Sequence, residues 1–403
     1  MTGQAPTLPS KSAGAPSFEA LLDRDDIVWM GQNTTHLPPA PEVVAALEQS
    51  TAKHEFNVYA PAGGFQELRE RIVDDLRGPD SDLPLDAWIT DGAVGGLHHI
   101  CTALAPRLSQ IIVSDPGWPW PARFVSLSGV PIRVLPVYDE PTHLMQAPQI
   151  AEVIQPQSLL YLIDPLNPLG SSYTRDELQA IVDLARETGS TIIHDCTYRH
   201  FADGHSLAAE LYPEGTFSTY SFSKWLGLAG LRVGAIVAEP SLLASLTAVP
   251  ANPLGATIQG QRAALAGLRV KGPWLANLRA VNRANLERVE QIVATSGLGA
   301  VVVSPSQGNF LAVDLGDSGW TADALCESLL EEGVFIRPGT YQSPLYGERF
   351  VKISTSVPAE WIERFGAVWA DRAARGPEVA ASVAPHTATT ATTATAPAEA
   401  VEA

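Results

Sequence analysis

The stretch from Ser218 to Ala238, STYSFSKWLGLAGLRVGAIVA, sets the fold. It reads as an apolar, β-rich run, a glycine-rich turn and a second strand. One amine, Lys224, sits in its middle between aromatics, with Ser221 and Ser223 before it and Arg232 after it. Apolar neighbours disfavour the ammonium form, which leaves the amine nucleophilic. The competing reading, a stem lying on apolar surface with its head in water, loses weight once the surrounding residues are counted.

Working outward, short β-branched runs recur at 110–115, 158–164, 190–195, 216–224 and 232–238. Helical periodicity lies between and beyond them, in GGLHHICTALAPRL, TRDELQAIVDLARETG and VNRANLERVEQIVATSG. Thr174 with Glu177 three residues on, and Gly189 at the far end, read as the start and stop of one such helix. Nearly continuous apolar strands alternating with amphipathic helices imply an α/β fold, a three-layer large domain whose mostly parallel sheet is covered on both faces. After about Asn285 the pattern changes to helices with short strands such as FLAVDL and FVKISTS, a smaller α+β domain. The expected division is a flexible N-terminus over 1–15, a segment packing with the small domain over 16–48, a large domain over 49–284 and a small one over 285–375. An Ala/Thr/Pro tail over 376–403 lacks the apolar residues that would offset ordering entropy.

In open α/β sheets ligands bind beyond the carboxyl ends of the strands, so the residues after each run matter most. Those positions hold Asp115 and Trp118, Asp164 and Asn167, Asp195 and Tyr198, then Ser221, Ser223 and Lys224. AWITDGAVGGL puts Gly92, Ala93 and Val94 at a strand-to-helix turn. Taken singly, an Asp there caps a helix, a Trp fills a core and Asn-Pro marks a turn. Gly227, Gly230 and Gly234 do not have the GxGxxG spacing of a dinucleotide loop. His194, Cys196, His200 and His205 fit neither HExxH nor a zinc ribbon, so no metal is expected.

The formal net charge of −18 makes nucleic acid an unfavourable partner. Three widely spaced cysteines with no CxxC pair fit a reducing compartment. No apolar run reaches the length of a membrane span, and the opening stretch has no apolar leader core, so a soluble cytoplasmic protein is expected.

As a set, these residues resemble the fold-type I pyridoxal-phosphate enzymes, specifically the class I/II aminotransferase family. The resemblance runs from about Gly31 to Pro358. SFSKWLGLAGLRVG is its most specific part, joined by DPLNPLG, DCTY, DPGWPW and NVYAPAGGFQELRERI. It implies the PLP-transferase fold and a pyridoxal 5'-phosphate cofactor in Schiff-base linkage to Lys224. Asp195 would face the pyridine nitrogen, Asn167 and Tyr198 the phenolic oxygen, and Trp118 the ring face. Ser221, Arg232 and the amides of Gly92, Ala93 and Val94 would hold the phosphate, and Ser223 would also bind the cofactor. Tyr59 matches a tyrosine that reaches the neighbouring subunit's phosphate, which implies a homodimer with shared sites. Gly31 and Asn33 would line the substrate mouth.

The family usually carries Arg-x-Ser near its end, and that Arg grips the substrate α-carboxylate as a fork. Here RFVKISTSV puts Lys352 at the matching position, a point charge in place of a fork. Lys352 holding a carboxylate, Arg337 supplying the fork, or an unusual substrate all stand open. The leading expectation is an aminotransferase acting between an amino acid and a 2-oxo acid. The rival is elimination, decarboxylation or condensation on the same scaffold. A DNA-binding sensor of the same cofactor is disfavoured by the acidic charge.

Overall fold

The computed structural model describes residues 18–78 and 81–377. The expectations for residues 1–15 and, apart from Gly376 and Pro377, for the 376–403 tail lie outside the described residues. Seven strands form the central sheet. They are β1 (Asp86–Thr90), β2 (Gln110–Asp115), β3 (Ile132–Pro136), β4 (Ser158–Ile163), β5 (Thr191–Asp195), β6 (Thr216–Ser221) and β7 (Gly234–Ala238). Their spatial order is β1-β7-β6-β5-β4-β2-β3. All neighbours pair in parallel except β7, which runs against both β6 and β1. The carboxyl ends of β1 to β6 and the amino end of β7 therefore share one edge. This reversal brings Arg232, just before β7, to the edge where Lys224 follows β6.

Burial explains why the apolar runs read as they do. β4, β6 and β7 are buried at every position, as strands covered by helices on both faces must be. β3, at the edge, leaves Val134 and Pro136 exposed. The helix Arg175–Glu187 opens with the reciprocal cap read from sequence: Thr174 Oγ1 accepts from the Glu177 N–H at 3.3 Å, and Glu177 Oε2 accepts from the Thr174 N–H at 2.9 Å.

Four further strands build an antiparallel sheet, ordered Arg337–Pro338, Phe350–Ser354, Phe310–Asp314 and Ala300–Val301. Its core packs Leu311, Ile353, Val289, Ile292, Phe365 and Trp369. Val28–Trp29 pairs in parallel with Val334–Phe335, so the early chain joins the late one. The helix Lys271–Ser296 joins the two regions: Leu278 belongs to the core beneath β6 and β7, whereas Leu286, Val289 and Val293 belong to the smaller sheet's core. No described helix is long and apolar enough to cross a membrane.

Candidate active site

The loops leaving the shared edge of the sheet meet around a cavity of about 300 Å³. Its wall holds Lys224, Asp195, Asn167, Tyr198, Trp118, Ser221, Ser223, Arg232, Ala93, Val94, Asn33 and Lys352. Three expected positions are not in this wall, and one of them, Gly92, lies just behind it against Arg232. Gly31 packs against the Phe335 ring, and Gln32, Asn33 and Thr34 form the wall beside it. Tyr59 is 78% exposed on the surface of the chain.

Lys224 is half-buried, and its Nζ donates to the Gln32 carbonyl oxygen at 2.9 Å. Thr35 Oγ1 donates to the Lys224 carbonyl at 2.7 Å and fixes the turn that carries it. Burial, then the positive charges of Arg232 and Arg337, lower the amine's pKa to about 8. About one tenth of the amine is therefore uncharged at pH 7, far more than for an ordinary lysine.

Asp195 ends β5 and is buried. Tyr161 donates its hydroxyl to Oδ2 at 2.7 Å. Thr219 Oγ1 and Thr197 Oγ1 each donate to Oδ1 at 2.7 Å, and the Thr197 N–H donates at 3.2 Å. The register makes this possible: Thr219 lies beside Asp195 on β6, and Ile163 lies beside it on β4 with Tyr161 two residues earlier on the same face. The carboxylate is thus held in one orientation from three sides.

A polar chain crosses from the large sheet to the small one. The Asn33 amide donates to the Tyr198 hydroxyl oxygen at 3.1 Å and to Asn167 Oδ1 at 3.2 Å, and Lys352 Nζ donates to the same Asn167 oxygen at 3.2 Å. Asn33 adopts φ +54°, a left-handed conformation that Asn tolerates. Its N–H donates to Ser354 Oγ at 2.8 Å, and its carbonyl accepts from the Asn309 amide at 3.0 Å. Burial pushes the Tyr198 phenol well above its ordinary pKa.

The third feature is a cradle at the start of the helix Gly92–Leu104. Gly92 has φ +74°, and a Cβ there would lie 2.4 Å from Arg232 Nη2. A Cβ on Gly234 would lie 2.5 Å from the Ala93 nitrogen. Bare backbone at both points lets the helix start, Ser221 and the guanidinium converge. Arg232 is aimed by bonds to the carbonyls of Ala229, at 2.7 Å, and Asp91, at 3.2 Å. Free N–H groups at a helix start beside a guanidinium suit a phosphate.

His194, Cys196 and His205 bring potential ligand atoms within 4.8 Å of one another. His194 Nδ1, however, accepts from the Ala208 N–H at 3.2 Å, which leaves the ring proton on Nε2, facing Asp164 Oδ2 at 3.3 Å. His205 Nε2 faces the Asp164 carbonyl at 3.2 Å, and the other oxygen of Asp164 accepts from Ser172 and Tyr173. These contacts brace the loop that carries Asn167.

Gln32, Thr34, Tyr161, Thr197, Thr219 and Tyr341 were not singled out from sequence. Tyr161 and Thr219 left a trace there, as polar groups inside runs otherwise suited to full burial. Gln32 left none, because its backbone carbonyl does the work.

Comparison with known proteins bears on this arrangement. The family described as aminotransferase class I and II matches residues 25–366. A histidinol-phosphate aminotransferase 1 of Mesorhizobium japonicum is 29% identical over 83% of this chain and 87% of its own. An aspartate aminotransferase of Pyrococcus horikoshii is 25% identical over 85% and 90%. In fold, an aminotransferase from Mycobacterium tuberculosis superposes with TM-score 0.78 at 22% identity, covering 90% of this chain and 98% of that one.

Proposed function

The chain belongs to the class I and II aminotransferase family, and from that membership we propose that its cavity holds pyridoxal 5'-phosphate and moves an amino group between an amino acid and a 2-oxo acid. One observation carries the reading: Lys224, an amine lowered to about 8, opens into the same cavity as a buried carboxylate fixed by three side chains. The rival chemistries have no comparable support, since the relatives named above are both aminotransferases.

The residues present fit the cofactor. The glycine-lined cradle with Arg232 and Ser221 suits its phosphate. Asp195 suits a protonated pyridine nitrogen, Asn167 and Tyr198 suit the phenolic oxygen, and Trp118 suits the ring face. When bound, the cofactor supplies an aldehyde for the amine and a ring that accepts the electron pair left at the substrate's Cα. Lys224 would be the proton carrier: as a free base it would take the proton from the substrate's Cα, and as an ammonium it would hand that proton to the cofactor's C4′. Asn33, bonded to both Tyr198 and Asn167, aligns the two against the ring edge. Lys352, bonded to Asn167, receives the substrate carboxylate.

Val94 offers the phosphate only its backbone, and Tyr59 faces solvent in the single chain. Both support a homodimer in which Tyr59 completes the partner's phosphate site. The buried, unpaired state of Cys101, Cys196 and Cys326 supports a reducing, cytoplasmic setting.

The test is a half-reaction. The purified protein is loaded with pyridoxal phosphate and exposed to a panel of amino acids, and the pyridoxamine form and keto acid are quantified. Transamination predicts both in equal amounts. Release of ammonia or carbon dioxide with the aldehyde form retained would overturn it. In Lys224→Ala the rate should fall about 10²–10⁴-fold, the scale of a positioned acid–base group.

A further inference from the structure

After the cofactor has taken its partners, two cationic side chains remain in the cavity. Four line it in all, Lys224, Arg232, Arg337 and Lys352, against one carboxylate, Asp195. Lys224 is assigned to the aldehyde, Arg232 to the phosphate and Asp195 to the ring nitrogen. Arg337 and Lys352 face each other as register partners in the small sheet.

Lys352 is 5% exposed. Its Nζ bonds Asn167 Oδ1 and lies 5.8 Å from the Phe310 ring. The groups around it are Arg337 from the adjacent strand, Lys224 from the loop after β6, Asn167 and Asn33, and the Tyr198 phenol, with Asp195 at the cavity floor already holding its donors. A charged amine here would be desolvated and set against Arg337, and against Lys224 as well until the aldehyde takes that amine, with no anion beside it. Burial, then Arg337, then Lys224 push its pKa well below the ordinary lysine value. Arg337 keeps its charge, since guanidinium does not deprotonate in proteins. It lies 4.7 Å from the Tyr341 ring, which limits its movement.

Building on the aminotransferase reading, we propose that Lys352 is a proton-gated receptor for the substrate carboxylate. The uncharged amine, the incoming carboxylate and one proton from solvent combine into an ammonium–carboxylate pair, while Arg337 supplies the permanent charge across the strand pair. An arginine at position 352 would bind without proton uptake, so the lysine makes substrate capture depend on pH. Because one proton enters with the ligand, affinity falls about tenfold per pH unit above the pKa of the empty site. The receptor therefore favours capture at the acidic end of the working range.

Two measurements decide this. In the holoenzyme, acetylation of Lys352 by acetic anhydride is followed by mass spectrometry from pH 6 to 11 beside a lysine peptide standard. The expected midpoint lies more than about one unit below the ordinary lysine value near 10.4. A midpoint at that ordinary value overturns the gate. In the second, the apparent KM of the fastest amino donor is followed over the same range for wild type and Lys352→Arg. The ratio of the wild-type KM to that of the variant should rise close to tenfold per unit above the pKa of the empty site, since titration of the donor's own amino group is common to both and cancels in that ratio. Parallel profiles would overturn the proposal. Should no amino acid convert the cofactor, the transamination reading fails, while the labelling curve still decides the gate without a variant or a substrate.

Discussion

At the scale of single residues, the site turns on two groups whose surroundings do opposite things. Lys224 is half-buried and pressed by Arg232 and Arg337, so its free base becomes the main form above about pH 8. The sign follows: capture of pyridoxal phosphate by the cofactor-free chain should accelerate about tenfold per pH unit below 8 and level off above it. Stopped-flow absorbance at fixed cofactor concentration checks this. Asp195 is instead surrounded by donors. Thr219→Val removes one of them without changing volume, and a hydrogen bond to a charged group is worth about 1.5–3 kcal/mol. Turnover should therefore fall about tenfold or more, with the thermal midpoint of the cofactor-free chain shifting much less. Lys224 and Asp195 were legible in the sequence because each follows an apolar run at a strand end. The donors of Asp195 were not, because which polar strand residue faces which carboxylate depends on the register between β4, β5 and β6.

Elements reveal a similar division. β2 and β5 appear within a residue of where the sequence puts them, since runs of Ile and Val buried on both faces leave little alternative. Val28–Trp29 was not legible: it is two residues long, has no periodicity, and exists only because Val334–Phe335 offers an edge. β3 was missed as well, for Arg133 and Pro136 interrupt its apolar pattern and its edge position tolerates them. The helix Gly92–Leu104 shows how an element's start becomes a site. Its first residue combines a left-handed φ with close approach to Arg232, so Gly92→Ala should strain the turn and displace the guanidinium. Local strain of this kind costs about 1–3 kcal/mol, enough to weaken pyridoxal phosphate binding roughly 5–150-fold. Fluorescence titration of the cofactor-free chain measures the loss, and unchanged affinity would remove the helix start from the phosphate site.

At the scale of the whole molecule, an exposed apolar surface borders that same cradle. Phe56, Val58 and Tyr59 are 56%, 62% and 78% exposed, and Val249 and Leu254 are 81% and 50% exposed. The two segments touch, since a Cβ on Gly255 would lie 2.5 Å from the Pro61 carbonyl. Asn252 then reaches Asp91, at the foot of the Gly92 helix, at 3.1 Å. An apolar surface at the rim of a site usually marks an interface. A two-fold dimer through it would carry each Tyr59 to the other chain's phosphate cradle. The arrangement makes a prediction that a merely adjacent dimer does not. In a mixed dimer of Lys224→Ala and Tyr59→Ala chains, one site carries both defects and the other carries neither. Random reassociation at equal concentrations makes half of the dimers mixed, so activity should recover to about one quarter of wild type. Each variant assayed alone gives the baseline, under cofactor limitation so that the loss of Tyr59 is felt. Activity of the mixture equal to the mean of the two baselines would show that each site draws only on its own chain.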